Sequence, residues 1–115
     1  MLTHSIERGV LVLRLQGDPG PPDVDALSEH ISGLVHAHDP APVVIVLGAD
    51  APPSSVEAVL RAHRRCAPLG VLLSVATHSA PVRRALEAQA GADGPPLVIH
   101  ARVDTAIATA FTAAA

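Results

Sequence analysis

Val43-Val44-Ile45-Val46-Leu47 is an uninterrupted apolar run, β-branched at its first four positions, with no polar residue alternating through it. Such a run reads as a strand covered on both faces, which requires other elements packed above and below it. Val56, Val59, Leu60 and His63 follow at helical spacing, predicting a helix from about Ser55 to Ala67. After the turn Pro68-Leu69-Gly70, a second long run, Val71-Leu72-Leu73-Ser74-Val75, predicts another strand. These two strands are the expected buried centre of the sheet.

The flanking sequence extends the alternation. Ile6 to Leu15 reads as two short strands joined at Arg8-Gly9, a hairpin that must be antiparallel. From Leu11 on, Leu11, Leu13 and Leu15 alternate with Val12, Arg14 and Gln16, predicting one buried face and one partly wet face. Gly17-Asp18-Pro19-Gly20-Pro21-Pro22 breaks the chain. A helix then starts at Asp23 as N-cap, carries the stripe Val24, Leu27, Ile31, Leu34 and Val35, and stops at Asp39-Pro40. Ser79-Ala80-Pro81 opens the next helix, with Val82, Leu86 and Ala90 inward and Gly91 as its stop. Asp93-Gly94-Pro95-Pro96 is a turn before a strand at Leu97–His100. The last helix runs from about Asp104, with Ile107, Phe111 and Ala114 on one side. The expected fold class is α/β in the order β-β-α-β-α-β-α-β-α: a mixed, mostly parallel sheet of four to five strands with about four helices. With 115 residues and no separating linker, residues 1–115 are expected to form a single domain around one core.

Composition narrows the function classes. Phe111 is the one aromatic residue, so there is no platform for stacking bases. The net charge of −3 is far from the basic footprint of a nucleic-acid binder, and no nucleic-acid partner is expected. Residues 1–60 hold two Arg and eight acids, whereas residues 61–115 hold six Arg and three acids; folding is expected to interleave the two halves. All eight basic residues are Arg, with Lys and Asn absent, as in a GC-rich bacterial coding sequence. The lone Cys66 leaves no internal disulfide. The N-terminus lacks the basic and apolar regions of a signal peptide, and the longest strongly apolar runs are about five residues, against roughly 20 for a membrane span. A cytoplasmic protein without membrane insertion is expected.

Chemical motifs are sparse. His36 and His38, two apart, fall on different helix faces. His63 and Cys66, three apart, share a face but supply only two ligands. The seven histidines are therefore expected mostly at the surface, with no metal and no cofactor. No Gly-x-Ser-x-Gly elbow surrounds Ser54, Ser55, Ser74 or Ser79, and the Gly17-Asp18-Pro19-Gly20 turn loses to proline a donor that a phosphate loop needs. A non-enzymatic protein is expected, with a small hydrolytic enzyme using Ser or His as the remote alternative. Ser54 and Glu57 have the spacing of a capping box, the serine accepting from the Glu57 N–H and the glutamate reaching back to the Ser54 N–H. Ser55 would then point outward from the first turn, accessible to a kinase, with a phosphate there favoured by the helix dipole.

The joint order of these pieces resembles the STAS domain, the fold of bacterial anti-sigma factor antagonists, from about Ile6 to Ala113. Val10–Leu15 with Gly17-Asp18 resembles the family's second strand and its Gly-Glu/Asp turn. Val43–Leu47 followed by Ser54-Ser55 resembles the strand leading to its Asp-Ser-Ser/Thr-Gly motif. Gly70–Val75 with Ser79-Ala80-Pro81-Val82-Arg83-Arg84-Ala85-Leu86 resembles the next strand and helix, and Val103–Thr109 the closing Ala-rich helix. The resemblance implies a protein-interaction module that regulates a sigma factor by partner switching with an anti-sigma factor that is also a serine kinase. By position it makes Ser55 the phosphoacceptor and places Asp18, Ser54, Ser55, Val56 and Glu57 at the partner surface. The family's Asp before the serines is Pro53 here and its following Gly is Val56. A degenerate, unphosphorylated domain acting as a constitutive scaffold or binding subunit is the alternative.

Overall fold

The computed structural model of the chain describes residues 2–18, 20–90 and 97–114, apart from the side chains of Pro21 and Ala114. Its elements are β1 (Leu2–Glu7), β2 (Val10–Leu15), α1 (Val24–His38), β3 (Val43–Leu47), α2 (Pro53–Cys66), β4 (Leu73–Ala76), α3 (Ala80–Ala90), β5 (Val98–His100) and α4 (Val103–Ala114). This is the expected order, β-β-α-β-α-β-α-β-α. The expected stop at Gly91 and the turn Asp93–Pro96 lie outside the described residues.

The five strands form one sheet in the order β1-β2-β3-β4-β5, with β1 antiparallel to β2 and the other pairs parallel. The β1–β2 hairpin closes at Arg8-Gly9, where both residues take positive φ (55° and 77°), as the tight primed turns of hairpins require. The register sets Leu13 against Ile45 and Ile45 against Val75, so side chains of one parity line one face across the sheet.

That parity divides the interior in two. Leu11, Leu13, Leu15, Val43, Ile45, Leu47, Leu73 and Val75 face α1, α2 and α3, which contribute Ile31, Val35, Val56, Val59, Val82 and Leu86. On the opposite face Val10, Val12, Val44 and Ala76 meet Ala106, Ile107 and Ala110 of α4. Three helices therefore cover one side of the sheet and a single Ala-rich helix covers the other, its small side chains allowing close approach to the strands.

α4 overturns two expectations. Val10, Leu11, Val12 and Leu13 are all fully buried, so β2 has no partly wet face until Arg14. The alternation from Leu11 was misleading because α4 returns over the face assigned to solvent. Phe111, expected on the same side as Ile107, is 44% exposed and lies under the Arg8 guanidinium, 4.6 Å from the ring centroid. The inward face is instead Ala106-Ile107-Ala110. β4 also starts later than expected, at Leu73, leaving Leu72 half-exposed.

The charge asymmetry resolves between α1 and α2. Arg61 pairs with Asp25 and, at 2.7 Å, with Glu57, while Arg65 approaches Glu29 at 4.0 Å. Arginines of the second half thus meet acids of the first. No helix among the described residues is long and apolar enough to cross a membrane.

Candidate functional site

The residues singled out by sequence lie at the carboxyl ends of the parallel strands, where α1 and α2 begin. How α2 begins decides what its two serines can do. Pro52 flanks the helix in extended conformation (φ −75°, ψ 163°), and Pro53 takes the first helical position. Proline suits that place because its ring fixes a helical φ and its missing N–H would have had no partner there. Ser54 and Ser55 are consequently the second and third helical residues.

The expected capping box does not form. No side chain caps α2. The Ser54 hydroxyl donates instead to Asp18 Oδ1 at 3.0 Å, and Glu57 Oε1 accepts from Arg61 Nη2 at 2.7 Å. The N–H groups of Ser55 and Val56 both donate to the Pro52 carbonyl, at 3.0 and 3.3 Å. With the helix start advanced two residues, from Ser55 to Pro53, Ser54 occupies the half-exposed side of the first turn. Ser55 turns inward and retains only 3% of its accessible surface. The outward, kinase-accessible Ser55 expected from the sequence is therefore overturned: the prolines pull the helix start forward and rotate it under the loop after β2. Val56, also placed at the partner surface by the resemblance, is 2% exposed and packs into the main core. Glu57 is exposed on the flank of α2 beside Arg61.

Asp18, 36 residues before Ser54, is brought against it. The same carboxylate oxygen accepts the Gly20 N–H at 2.8 Å, a local side-chain-to-backbone bond two residues on. Two adjoining clefts open beneath this contact. The first, about 470 Å³, runs between β2, α1 and the start of α2, with Leu2, Leu15 and Leu27 in its wall and Asp18, Asp23, His30 and Ser55 among its polar groups. The second, about 340 Å³, shares Leu15, Asp18 and Ser55 and is bounded by Gly48–Pro52, including Asp50. A third hollow of about 380 Å³ lies between that loop and α3, where Pro53 and Val56 meet Ser79, Pro81 and Val82. Ser79 does the capping that Ser54 does not, its Oγ accepting the Val82 N–H at 3.2 Å.

Sequence reasoning missed Asp23 and His30 as cleft residues. Asp23 does precede α1 as expected, yet its side chain makes no cap hydrogen bond. His63 also departs from expectation: it is buried, on the side of α2 that carries Cys66, because α2 is flanked by both α1 and α3. The Cys66 thiol is 1% exposed, and burial pushes its pKa up against the smaller opposing effect of a hydrogen bond with Ser32. Among the described residues no three His, Cys, Asp or Glu side chains are arranged to hold a metal ion. His30, the histidine of the first cleft, makes no hydrogen bond to either serine, so no serine–histidine pair is assembled there.

No family model matches the chain, and no curated protein matches it at a significant level.

Proposed function

We propose that the chain is a non-enzymatic protein-interaction module of the STAS type, an anti-sigma factor antagonist that holds its partner constitutively rather than through a phosphoserine switch. The partner is an anti-sigma factor of the serine-kinase class. The observation that carries the constitutive reading is the burial of Ser55 to 3% exposure, while its neighbour Ser54 bonds Asp18. A kinase needs the acceptor hydroxyl in its own active site, and a phosphate on Ser55 would add close to two negative charges beside Asp18 and Asp50. The N–H groups of Ser55 and Val56, which could have answered that charge, are engaged by the Pro52 carbonyl. The accessible face is made by Asp18, Ser54 and Glu57.

Partner switching is the second reading, and one observation favours it: Ser54, unlike Ser55, keeps a half-exposed hydroxyl at the same helix start. The test is incubation with labelled ATP and an anti-sigma factor kinase shown to be active on another substrate, together with affinity capture of that kinase. Capture without phosphate incorporation supports the constitutive module. Phosphate lost in Ser54→Ala or Ser55→Ala assigns the switch. Failure to capture any anti-sigma factor overturns both readings.

A further inference from the structure

We propose that the cleft between β2, α1 and the first turn of α2 is a binding site for a small amphiphilic organic cation, an ammonium group carried on an aliphatic body. The inference goes beyond the partner reading and stands if that reading fails. At about 470 Å³ the cleft is of the size that encloses small ligands, and it combines an apolar wall with a few convergent polar groups. Leu2, Leu15 and Leu27 offer the wall against which methylene groups lose water.

Beside the imidazole of His30, the ionisable groups of the two clefts are carboxylates. Asp18 and Asp23 line the first, Asp50 lines the adjoining cleft, and no arginine lines either. Asp18 uses Oδ1 for Gly20 and Ser54, which leaves Oδ2 for a ligand. Asp23 stands where a helix cap would be and makes no cap bond. An anion is disfavoured although a helix starts here. Pro52 and Pro53 bring no N–H and those of Ser55 and Val56 are spent on Pro52, so the first turn of α2 offers an anion the N–H of Ser54 against full carboxylate charges that outweigh the half-charge of the dipole.

Ser55 supplies the second, independent observation. Its side chain is 97% buried and lines both clefts, and its hydroxyl has no hydrogen-bond partner among the described residues. The hydroxyl opens on the clefts and is not sealed in the core, so it stands as an acceptor for an N–H donor of an ammonium entering between Asp18 and Asp23.

The test is an amide-resolved NMR titration of the full chain with n-hexylammonium, using n-hexanol and hexanoate as matched controls. Saturable shifts are expected at the amides of Leu15, Asp18, Ala26, Leu27 and Ser55, with hexylammonium tighter than either control by roughly tenfold or more. Asp23→Asn is expected to weaken hexylammonium binding by several-fold, and Asp18→Asn with Asp23→Asn by roughly tenfold or more. Should the double variant fail to fold, Asp23→Asn alone decides, since no cap bond is lost with it. Equal binding of the controls, shifts elsewhere in the chain, no saturable shift, or unchanged affinity in the Asn variants would overturn the assignment.

Discussion

Ser54 donates a 3.0 Å hydrogen bond to Asp18 across 36 residues of sequence, tying the loop after β2 to the first turn of α2. Because Asp18 Oδ1 also accepts the Gly20 N–H at 2.8 Å, one carboxylate oxygen fixes both the shape of its own loop and the distance to the helix. Asp18 of this pair, with Leu15 and Ser55, lines both clefts.

That coupling is measurable. Ser54→Ala and Asp18→Ala are each expected to cost about 0.5–1.5 kcal/mol in urea denaturation, the worth of a solvent-accessible hydrogen bond. The double variant should cost less than the sum, because the second change removes a bond the first has already broken. Strict additivity would show that the two residues do not interact in solution.

Why the sequence revealed the fold better than the site follows from the same residues. Element order was carried by long local patterns: the Val43–Leu47 run, the stripe Val24-Leu27-Ile31-Leu34-Val35, and the breaker after Leu15. Such patterns depend on the residues' own spacing. The site depended on a two-residue question, whether α2 starts at Ser55 with Ser54 as its cap or at Pro53. Pro53 held the answer, since proline is favoured at the first helical position, and reading it that way would have turned Ser55 inward. The burial of β2 on both faces was not readable from β2 itself. It is set by α4, whose contacts come from Ala106 and Ala110, residues with almost no hydrophobic periodicity to detect. The clefts were unreadable for a related reason, the first being assembled from β1, the end of β2 with Gln16, Gly17 and Asp18, α1 and α2.

Ser55 should tolerate loss of its hydroxyl but not gain of charge. Ser55→Ala is expected to change unfolding stability by no more than about 0.5 kcal/mol, since the hydroxyl makes no hydrogen bond among the described residues. Ser55→Glu must either bury a carboxylate or open the loop, and is expected to cost about 2 kcal/mol or more. Thermal melts of the two variants check this. A glutamate at position 55 is thus a perturbation of the fold and not a faithful phosphate mimic. If Ser55→Glu melts with the wild type, the buried placement of this side chain is wrong.

The β1–β2 turn offers a purely backbone test. Gly9 holds φ at 77°, and a Cβ built there would meet nothing within 4 Å. Gly9→Ala therefore carries no clash, and its expected cost of about 1 kcal/mol comes from forcing an L-residue into the left-handed region. Chemical denaturation reads it directly, and an unchanged or raised midpoint would contradict the positive φ. The neighbouring Arg8, itself at φ 55°, keeps its contact with Phe111, so any loss is assigned to the turn alone.

Cys66 gives the chain a dependence on alkaline pH whose sign is fixed by its burial. The unfolded thiol titrates at about 8.5, whereas burial raises the native value above the ordinary one. Between the two values the unfolded chain has lost a proton that the native chain still holds, so unfolding becomes easier as pH rises. Below the unfolded value both states are protonated and this contribution is constant. The expected result is a loss of at most about 1.4 kcal/mol per pH unit above pH 8.5. Comparing urea midpoints of wild type and Cys66→Ala at neutral and alkaline pH isolates it. Cys66→Ala starts less stable because it removes a buried side chain, but its stability should fall less steeply with pH. Native Cys66, 1% exposed, should also react with a thiol reagent only through opening of α2, with the rate rising in step with added urea. Parallel pH profiles for the two proteins, or fast native labelling, would place this thiol at the surface.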